Sequence, residues 1–264
     1  MVALIDLDSL LYKAVYKIVS FSQMREAINS YGKEKAKQWL KEQVYNEGIN
    51  RCENQMLEIN NYLSNVFFEE ITSYELFITT CTKSFRKELN KEYKSNRKAN
   101  NYVWLLREHY KFNDAFFSDV YEADDLIFDR AKELGTGNYI IVSMDKDLKQ
   151  IGGYYWSYYK QRSKDMYGEY ILNELGMYET EYKQKEVEFI NKEKADLFFW
   201  KQMLTGDSSD NIKGLQRVGI KTAEKILQRQ GNNFITVARE YIKRELKEDF
   251  RTNYKLLKLG TNEN

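Results

Sequence analysis

The chain has 264 residues and a formal net charge of +1, a length that fits one large domain with a sizeable core and a charge that argues neither for nor against a nucleic-acid partner. Two cysteines, Cys52 and Cys81, and the single His109 are too few for a Cys/His zinc site, and reduced thiols are typical of an intracellular protein. No apolar run approaches the roughly 20 residues of a membrane span and no signal segment opens the chain, so we expect a soluble, cytoplasmic protein.

The first quarter of the chain predicts a buried strand followed by helices. The apolar run Val2–Asp6 predicts a short strand that ends in a carboxylate, and apolar periodicity predicts a helix over Leu10–Val19. Residues 24–64 are highly charged with helical spacing, and strand character resumes over Tyr74–Thr80. A strand that stops at an Asp directs that side chain past the edge of the sheet.

A basic segment follows the second strand. Between Lys83 and Lys98, seven Lys or Arg residues stand against two Glu, whereas Asp-rich groups lie elsewhere. Such a run is commonly only the solvated face of a helix. Combined with separate acidic groups, it also suits a protein that grips phosphates with one surface and holds cations with another.

The middle of the chain completes an α/β pattern. Glu122–Leu134 predicts a helix with acidic residues in its first turn and Gly135 beyond its end, and Tyr139–Val142 predicts a short strand that runs into Asp145 and Asp147. The order of the elements predicts an α/β fold with a mostly parallel central sheet flanked by helices. In such sheets, functional sites lie at the carboxyl ends of the strands.

The last third of the chain predicts a helical layer or subdomain. We divide the chain into an α/β core over residues 1–205 and a helical part over 206–264, although no linker or repeat marks the boundary. The predicted helices cover Lys192–Leu204, Thr222–Gln230, Asn233–Glu245 and Asp249–Leu259.

Acidic residues recur at four points where the chain is expected to change direction. Each group alone could equally serve as a helix cap or a turn. Gathered at one sheet edge, so many carboxylates would repel one another unless hard divalent cations neutralised them. Magnesium is the natural ion, and a pair of ions about 3.5–4 Å apart is the arrangement used for phosphodiester cleavage. The groups are Asp6; Glu122, Asp124 and Asp125; Asp145 and Asp147; and Asp207 and Asp210.

A glycine-rich segment carries the most specific signal. Residues 206–214 are Gly-Asp-Ser-Ser-Asp-Asn-Ile-Lys-Gly, and residues 218–223 are Val-Gly-Ile-Lys-Thr-Ala. Glycines let backbone N–H groups approach phosphates closely, and Thr222 can cap the following helix. This segment resembles the helix-three-turn-helix signature of the 5′ nuclease family, which includes flap endonucleases, phage 5′ exonucleases and the 5′ nuclease domain of bacterial DNA polymerase I.

Three acidic segments resemble the same family in the same order along the chain. Leu4–Asp6 resembles its opening strand and first metal-binding Asp. Glu122–Asp125 resembles its acidic helix start, and Ser143–Asp147 resembles its strand-end pair of carboxylates. The resemblance therefore implies that these groups bind the same metal ions.

The segment between them resembles the entry to the family's helical arch. Phe85 with Arg86, followed by Glu92–Arg97, carries this resemblance and implies an arch over residues from about 84 to 115. One position departs from the pattern, because the family usually carries another Asp where this chain has Thr79. That ligand is either replaced by water or supplied from elsewhere.

The resemblance implies a role for each candidate residue. Lys94 and Arg97 would contact the scissile phosphate and stabilise charge in the transition state, a role that suits the planar fork of arginine. Tyr93 would stack on a base of the unpaired 5′ strand, with partial burial in the arch as the alternative. The implied metal ligands, direct or through water, are Asp6, Glu122, Asp124, Asp145, Asp147, Asp207 and Asp210, with Asp125 a ligand or a partner of one. The implied DNA-binding residues are Arg86, Tyr93, Lys213, Gly214, Arg217, Gly219, Lys221 and Thr222.

In function, the resemblance implies a monomeric, structure-specific 5′ nuclease that cuts DNA near a 5′ flap, nick or free 5′ end, as 5′-3′ exonuclease and flap endonuclease. It implies a phage-like role in DNA replication and primer removal, which extends to RNA primer–DNA hybrids, in the host cytoplasm if the chain is phage-encoded. The implied cofactors are two Mg²⁺ ions, for which Mn²⁺ can substitute, and K⁺ at the helix-three-turn-helix. Two alternatives stay open: an RNA-cutting relative, which the segment 206–223 disfavours, and a DNA-binding module with reduced catalysis, which Thr79 keeps open.

Overall fold

A mixed β-sheet forms the centre of the protein. The computed structural model describes residues 1–67, 71–81, 83–97, 102–158, 160–162, 169, 180–182, 187–228 and 232–261. In chain order, the strands are β1 (Val2–Asp6), β2 (Ser73–Phe77), β3 (Ala115–Phe116), β4 (Tyr139–Val142), β5 (Gly153–Trp156), β6 (Lys160–Arg162), β7 (Thr180–Tyr182), β8 (Glu188–Ile190), β9 (Gly206–Asp207) and β10 (Ile212–Lys213). Within these residues, the central sheet has the order β3-β2-β1-β4-β5-β8, and the pairs β6–β7 and β9–β10 form two small antiparallel hairpins.

Strand β1 lies in the middle of this sheet. It pairs in parallel with β2 on one side and β4 on the other, so that Asp6 lies opposite Phe77 and Ile5 lies opposite Val142. Only the edge strand β8 runs antiparallel to its neighbour among the described strands of the central sheet. The carboxyl ends of β1 and β4 therefore meet at one edge of the sheet, and the predicted fold class is confirmed.

Helices cover both faces of the sheet. They are α1 (Leu7–Ala14), α2 (Phe21–Tyr31), α3 (Lys33–Val66), α4 (Phe85–Leu89), α5 (Val103–Lys111), α6 (Ala123–Leu134), α7 (Lys192–Thr205), α8 (Ile220–Leu227), α9 (Asn233–Ile242) and α10 (Lys247–Leu257), with a 3₁₀ helix over Lys146–Gln150. Ile5 packs in a core with α1, α3 and α5, and Leu4 packs on the opposite face with α6. Because both faces are covered, the central strand β4 is apolar throughout and β1 is apolar up to Asp6, instead of alternating.

The first helix differs from its prediction at both ends. It begins at Leu7, directly after β1, and ends at Ala14 instead of running from Leu10 to Val19. Lys17 has a φ of 50°, in the left-handed region that a helix cannot contain, so the chain turns before the apolar pattern runs out. This turn directs the chain into α2, whose start is fixed by the Ser20 capping box.

The charged region over residues 24–64 is helical, as predicted, and forms α2 and α3. Helix α3 packs against α1 and α5 as well as against α2. At its crossing with α5, Gly48 lies so close to the neighbouring helix that an added Cβ would stand 3.0 Å from the Cδ2 of Leu106. A residue without a side chain therefore allows the two helices to approach.

A second core joins the helices of the last third. Met203 of α7, Ile226 of α8, Tyr241 of α9 and Leu256 of α10 are buried together, which confirms the four predicted helices with small shifts at their ends. Tyr93, from the segment after α4, packs in the same core. The division of the chain at residue 205 stays a prediction. Within the described part of the chain, no helix has the length and apolarity that crossing a membrane requires.

Candidate metal and phosphate site

Asp6 ends the central strand and lies buried at the carboxyl edge of the sheet. Its Oδ2 accepts hydrogen bonds from the hydroxyl groups of Ser143, at 2.6 Å, and Ser9, at 3.0 Å. Burial raises the pKa of Asp6 to about 7, and repulsion from Asp8 and Asp145 adds to the increase. A carboxylate in this position gains from any cation that comes close to it.

The loop after β4 brings Asp145 and Asp147 to the same edge. The backbone N–H of Asp147 donates to Oδ1 of Asp145 at 2.9 Å, and the amide of Gln202, from α7, donates to Oδ1 of Asp147 at 2.7 Å. Burial raises the pKa of Asp147 to about 8, with further increases from the negative charges of Asp145 and Asp207.

Asp207 supplies a buried carboxylate from the start of the glycine-rich segment. The backbone N–H of Ser209 donates to its Oδ1 at 2.8 Å, and the Ser209 hydroxyl donates to the same oxygen at 2.5 Å. Burial alone would raise the pKa of Asp207, but these hydrogen bonds outweigh it and lower the pKa. Its other oxygen, Oδ2, is buried without a hydrogen bond from any donor in the described residues.

Helix α6 begins between these groups. Glu122 caps the helix, and Asp124 follows in its first turn, as predicted for the segment Glu122–Asp125. Removal from water raises the pKa of Asp124 well above its ordinary value, and the charges of Asp145 and Asp6 add to the effect. Asp124 therefore shares its electrostatic environment with both strand ends.

Two basic residues of the arch segment reach into the acidic site. Lys94 Nζ donates to Oε2 of Glu122 at 2.8 Å and stands 3.8 Å from Oδ2 of Asp210, while Arg97 forms an ion pair with Asp210. Burial alone would raise the pKa of Glu122, but Lys94 and then Arg86 outweigh it and lower the pKa. The predicted phosphate-binding residues thus lie beside the predicted metal ligands.

Tyr93 takes the buried alternative of its two predicted roles. The residue is 3% exposed, and its hydroxyl donates to Oε2 of Glu122 at 2.9 Å and to Oδ2 of Asp210 at 3.0 Å. Stacking on a DNA base does not fit this placement, because the ring has no face that a base could reach. Tyr93 instead links the two carboxylates.

Arg86 also lies where DNA cannot contact it. The residue is 1% exposed, and its guanidinium forms a two-point ion pair with Asp125, with N–O distances of 2.6 and 2.7 Å. The predicted DNA contact at Arg86 therefore does not fit. Asp125 is fully buried in this pair, which suits the predicted partner of a metal ligand better than a ligand itself.

The acidic residues divide by how their charge is balanced. The uncompensated group consists of Asp6, Asp124, Asp145, Asp147 and Asp207, and the paired group consists of Glu122, Asp125 and Asp210, which form ion pairs with Lys94, Arg86 and Arg97. Among the residues that the structure describes, no three potential ligands are grouped tightly enough to form a complete metal site as they stand. The uncompensated group nevertheless fits divalent cations, because it offers hard oxygen donors, raised pKa values at Asp6, Asp124 and Asp147, and the unpartnered Oδ2 of Asp207.

The glycine-rich segment links α7 to α8 through the β9–β10 hairpin. Gly206 and Gly214 lie back to back, and a Cβ on Gly214 would stand 2.1 Å from the backbone carbonyl carbon of Thr205. Helix α8 begins at Ile220 with Gly219 as its cap, so Thr222 lies in the first turn and the prediction that it caps the helix is wrong. The predicted DNA-binding residues of this segment that are solvent-exposed are Lys213, Arg217, Gly219, Lys221 and Thr222.

Three residues of the site escaped the sequence analysis. Ser143 and Gln202 each donate a hydrogen bond to one acidic residue, and neither residue type signals such a role on its own. Asp8 accepts from the backbone N–H of Thr79 at 3.0 Å and from Nε of Arg107 at 2.8 Å. Its spacing of two residues from Asp6 was the one available signal.

Thr79 does not offer its hydroxyl to the acidic residues. The Thr79 Oγ1 accepts the backbone N–H of Ala123 at 3.1 Å, which ties the end of β2 to the start of α6. Asp8, which raises the pKa of Asp6 by its proximity, is a carboxylate that the structure holds at this part of the site through the backbone N–H of Thr79.

Comparisons with known proteins give relatives of one kind. A 5′-3′ exonuclease of Buchnera aphidicola is 29% identical over 181 aligned residues, which cover 64% of this chain and 58% of that protein. A DNA polymerase I of Rhizobium leguminosarum is 32% identical over 160 residues, which cover 57% of this chain and 14% of that protein. The chain therefore spans less than two thirds of the length of either relative. No protein-family model matches the sequence.

Solved structures share the fold. A bacteriophage T5 flap endonuclease, in a complex with DNA and metal ions, superposes with a TM-score of 0.55 at 14% identity, over 97% of this chain and 88% of that chain. A T5 5′-exonuclease with bound zinc gives a TM-score of 0.50 at 14% identity, over 97% and 86% of the two chains. The resemblance to the 5′ nuclease family that the motifs predicted is confirmed, in sequence by the named relatives and in fold by the T5 proteins.

Proposed function

We propose that this chain is a divalent-metal-dependent 5′ nuclease that hydrolyses DNA phosphodiester bonds near free 5′ ends. The observation that carries the proposal is the uncompensated group, in which the carboxylates Asp6, Asp124 and Asp147 have raised pKa values and the charge of Lys94 reaches Asp124. Such a group would be stabilised by bound divalent cations, and the neighbouring lysine is suited to binding a phosphate of the substrate. Similarity to a protein named 5′-3′ exonuclease supports the same activity.

The proposed cofactor is a pair of Mg²⁺ ions, for which Mn²⁺ can substitute. The uncompensated group would hold them, with Glu122 and Asp210 of the paired group as further ligands. When bound, the ions would supply an activated water and stabilise charge on the phosphate and the leaving oxygen. The chain itself would position the phosphate at this edge of the sheet.

Lys94 and Arg97 would bind the scissile phosphate. Both stand at the rim of the acidic site, and both now bind carboxylates that carry the same charge as a phosphate. A phosphate can therefore exchange for Glu122 or Asp210 without leaving either cation unpaired. Arg97 has the more exposed side chain of the two, at 48%, and would meet the DNA first.

The duplex beyond the cleavage point would lie on the glycine-rich segment. Gly219 has no heavy atom within 4 Å of a Cβ position, so a DNA backbone can approach the start of α8 closely. Lys213, Arg217 and Lys221 are exposed around it and would contact phosphates. A K⁺ ion at this segment is part of the same proposal, as are a monomeric state, a cytoplasmic location and a replication role on flaps and RNA primers.

One alternative function has an observation in its favour. The Thr79 hydroxyl oxygen accepts the backbone N–H of Ala123, so it adds no ligand where the family usually has a carboxylate. A DNA-binding protein with reduced catalysis would fit this change. The alternative predicts binding to branched DNA with little hydrolysis under any divalent ion.

Cleavage of end-labelled DNA substrates tests the proposal. We expect cutting of 5′-flap and nicked duplexes with Mg²⁺ or Mn²⁺, and none with EDTA, with the products mapped on flap, nicked, single-stranded and RNA-primed substrates. Asp6→Asn should remove the activity, whereas Asp196→Asn, at an exposed carboxylate of α7, should retain it. Binding without cleavage by the unchanged protein would favour the alternative, and neither binding nor cleavage would refute both.

A further inference from the structure

The guanidinium of Arg86 is the centre of a buried network outside the proposed metal and phosphate contacts. Besides its two bonds to Asp125, its Nε donates to the carbonyl of Leu256 at 2.9 Å and its Nη2 donates to the carbonyl of Lys258 at 3.1 Å. Its Nη1 also lies 3.6 Å from Oε2 of Glu122. Four directed hydrogen bonds from one planar group define its position and orientation.

Asp125 completes the network from the other side. Its Oδ2 accepts the backbone N–H of Glu122 at 3.1 Å, and its Oδ1 accepts the backbone N–H of Gly260 at 3.1 Å. Gly260 has a φ of 112°, and an added Cβ would lie 2.8 Å from the ring of Phe128. The chain after α10 is therefore shaped to bring its backbone to this carboxylate.

Three parts of the molecule meet at this ion pair. Arg86 belongs to α4, Asp125 to the acidic start of α6, and the segment Leu256–Thr261 comprises the last two residues of α10 and the residues after it. A second contact joins the same parts, because the ring of Phe85 packs on Tyr121, whose hydroxyl donates to the carbonyl of Thr261 at 3.2 Å. The segment that carries Phe85 and Arg86 is thus connected to the end of the chain in two ways, directly through Arg86 and indirectly through Tyr121.

Arg86 is also connected to the residues that reach the acidic site. The backbone N–H of Asn90 donates to the carbonyl of Arg86 at 2.9 Å, and the N–H of Tyr93 donates to the carbonyl of Asn90 at 3.0 Å. Lys94 comes next, with a φ of 54° and its N–H donating to the carbonyl of Asp210 at 2.9 Å. A short, hydrogen-bonded path therefore links Arg86 to the turn that carries Lys94.

We propose that Arg86 is a positioning residue, which uses Asp125 and the segment Leu256–Thr261 to hold Lys94 at the distance from Glu122 that the reaction needs. The inference rests on the proposed function for its kinetic consequence, but the structural consequence is independent of it. Loss of the network would let the turn at residues 90–94 move away from α6. The chemical step would then slow while the DNA-binding surface around α8 stayed intact.

The test compares two arginines whose two-point ion pairs both involve helix α6. Arg86→Lys retains the charge but not the planar fork, and we expect the single-turnover cleavage rate to fall about tenfold to a hundredfold, as for partners that orient functional groups elsewhere. DNA affinity measured in EDTA should change less than twofold. The matched control is Arg130→Lys, because Arg130 forms a two-point ion pair with Glu75, at 2.8 Å for each bond, between α6 and β2. That variant should retain the wild-type rate.

Amide hydrogen exchange supplies a readout that does not need activity. In Arg86→Lys, the amides of Asn90, Tyr93 and Lys94 should exchange at least tenfold faster, while those of β1 and β4 stay unchanged. Asp125→Asn should give the same local pattern, which provides a second variant if one of the two fails to fold. The Arg130 control should leave these three amides as they are.

Each other outcome overturns the inference. An unchanged cleavage rate with lower thermal stability would make the network purely structural, and weaker DNA binding with an unchanged rate would make Arg86 a DNA contact. Unaltered amide exchange at residues 90–94 would show that the Arg86 network does not hold the turn that carries Lys94. If the wild-type protein cleaves no DNA, the proposed function fails, and the exchange experiment still decides whether Arg86 holds this turn.

Discussion

The two groups of carboxylates in the site differ in where their counter-charges come from. In the paired group, Glu122 and Asp210 contact Lys94 and Arg97, and the pKa of Glu122 is lowered. In the uncompensated group, Asp6 and Asp147 contact hydrogen-bond donors without a formal charge, and their pKa values are raised. Carboxylates at one edge of the sheet thus differ, because basic side chains already neutralise the paired group but not the uncompensated group.

This difference separates the carboxylates that the chain neutralises with its own basic residues from those whose counter-charge must come from solution. A carboxylate with its own lysine or arginine is neutralised by folding. A buried carboxylate with only serine or amide partners is not, and it remains costly until a proton or a cation arrives. Under the proposed function, the uncompensated group is therefore the part of the site that would depend on metal.

The largest expected effect is at Asp147. Asp147→Asn removes a proposed ligand from the uncompensated group, and we expect Mg²⁺-dependent cleavage to fall at least about a hundredfold. The same variant should be more stable than wild type in EDTA at pH 8, because it removes a repelled negative charge. Cleavage rates and thermal melts measure the two effects.

Asp196→Asn, on the exposed surface of α7, is the control for Asp147→Asn and should match wild type in both measurements. Retention of metal-dependent cleavage by Asp147→Asn would show that the two groups do not differ in the way described. Reduced stability in EDTA would contradict the electrostatic part alone.

A second large effect is expected at Lys94. Lys94→Met removes the cation that neutralises Glu122, and single-turnover cleavage should fall about 10²–10³-fold, as when one charge-stabilising donor is lost. DNA affinity in EDTA should change little. Lys37→Met is the control, since Lys37 pairs with Glu34 on the surface of α3. Weaker binding with an undiminished rate would make Lys94 a binding residue only.

The pH dependence of stability should reveal the uncompensated group directly. Asp6 and Asp147 have folded-state pKa values of about 7 and about 8, above the ordinary value of 3.8. Their contribution to stability is therefore complete below pH 4 and is lost as the pH rises through 7 and 8. Between pH 4 and these folded-state pKa values, the unfolding free energy of the metal-free protein should fall by about 1.4 kcal/mol per pH unit for each carboxyl group that holds its proton only in the folded state.

Mg²⁺ should reverse this loss, because the ion replaces the protons. Urea unfolding at pH 6 and pH 8, with EDTA or with Mg²⁺, measures the effect. Equal stabilisation by Mg²⁺ at both values would mean that protons and metal do not compete for the same carboxylates.

The smallest effect on catalysis is expected outside both groups. Lys221→Ala, at the exposed start of α8, should weaken binding to all DNA sequences and lower the slope of log affinity against log salt by about one. The cleavage rate at saturating DNA should stay near wild type. Lys243→Ala, which removes one of the basic partners of Glu240 in α9, should leave the salt slope unchanged. An unaltered slope in Lys221→Ala would remove this surface from the DNA-binding site.

The sequence was sufficient to predict the sheet edge and most of its carboxylates. Val2–Asp6 and Tyr139–Val142 are short apolar runs that end near acidic residues, and parallel strands bring such ends together. Glu122 was recognisable as a helix start because acidic residues follow it and Gly135 ends the helix. These features are local, so a single chain displays them.

The partners of these carboxylates could not be predicted in the same way. Arg86 lies in a basic run and resembles a surface residue, but it is buried against Asp125, 39 positions later. Tyr93 and Gln202 likewise acquire their roles through contacts between distant segments. Which charge is balanced by which residue depends on tertiary packing, and no spacing rule along the chain records it.

The contact between Gly206 and Gly214 has a mechanical consequence. A backbone crossing that leaves no room for a methyl group closes the base of the β9–β10 hairpin, with Asp207 just inside it at one end and Lys213 at the other. The two strands of the hairpin are therefore held together at this end. If Lys213 binds the duplex as proposed, the distance between this contact and the proposed ligand Asp207 would stay constant. Each cut would then fall a fixed number of nucleotides from the bound end of the duplex.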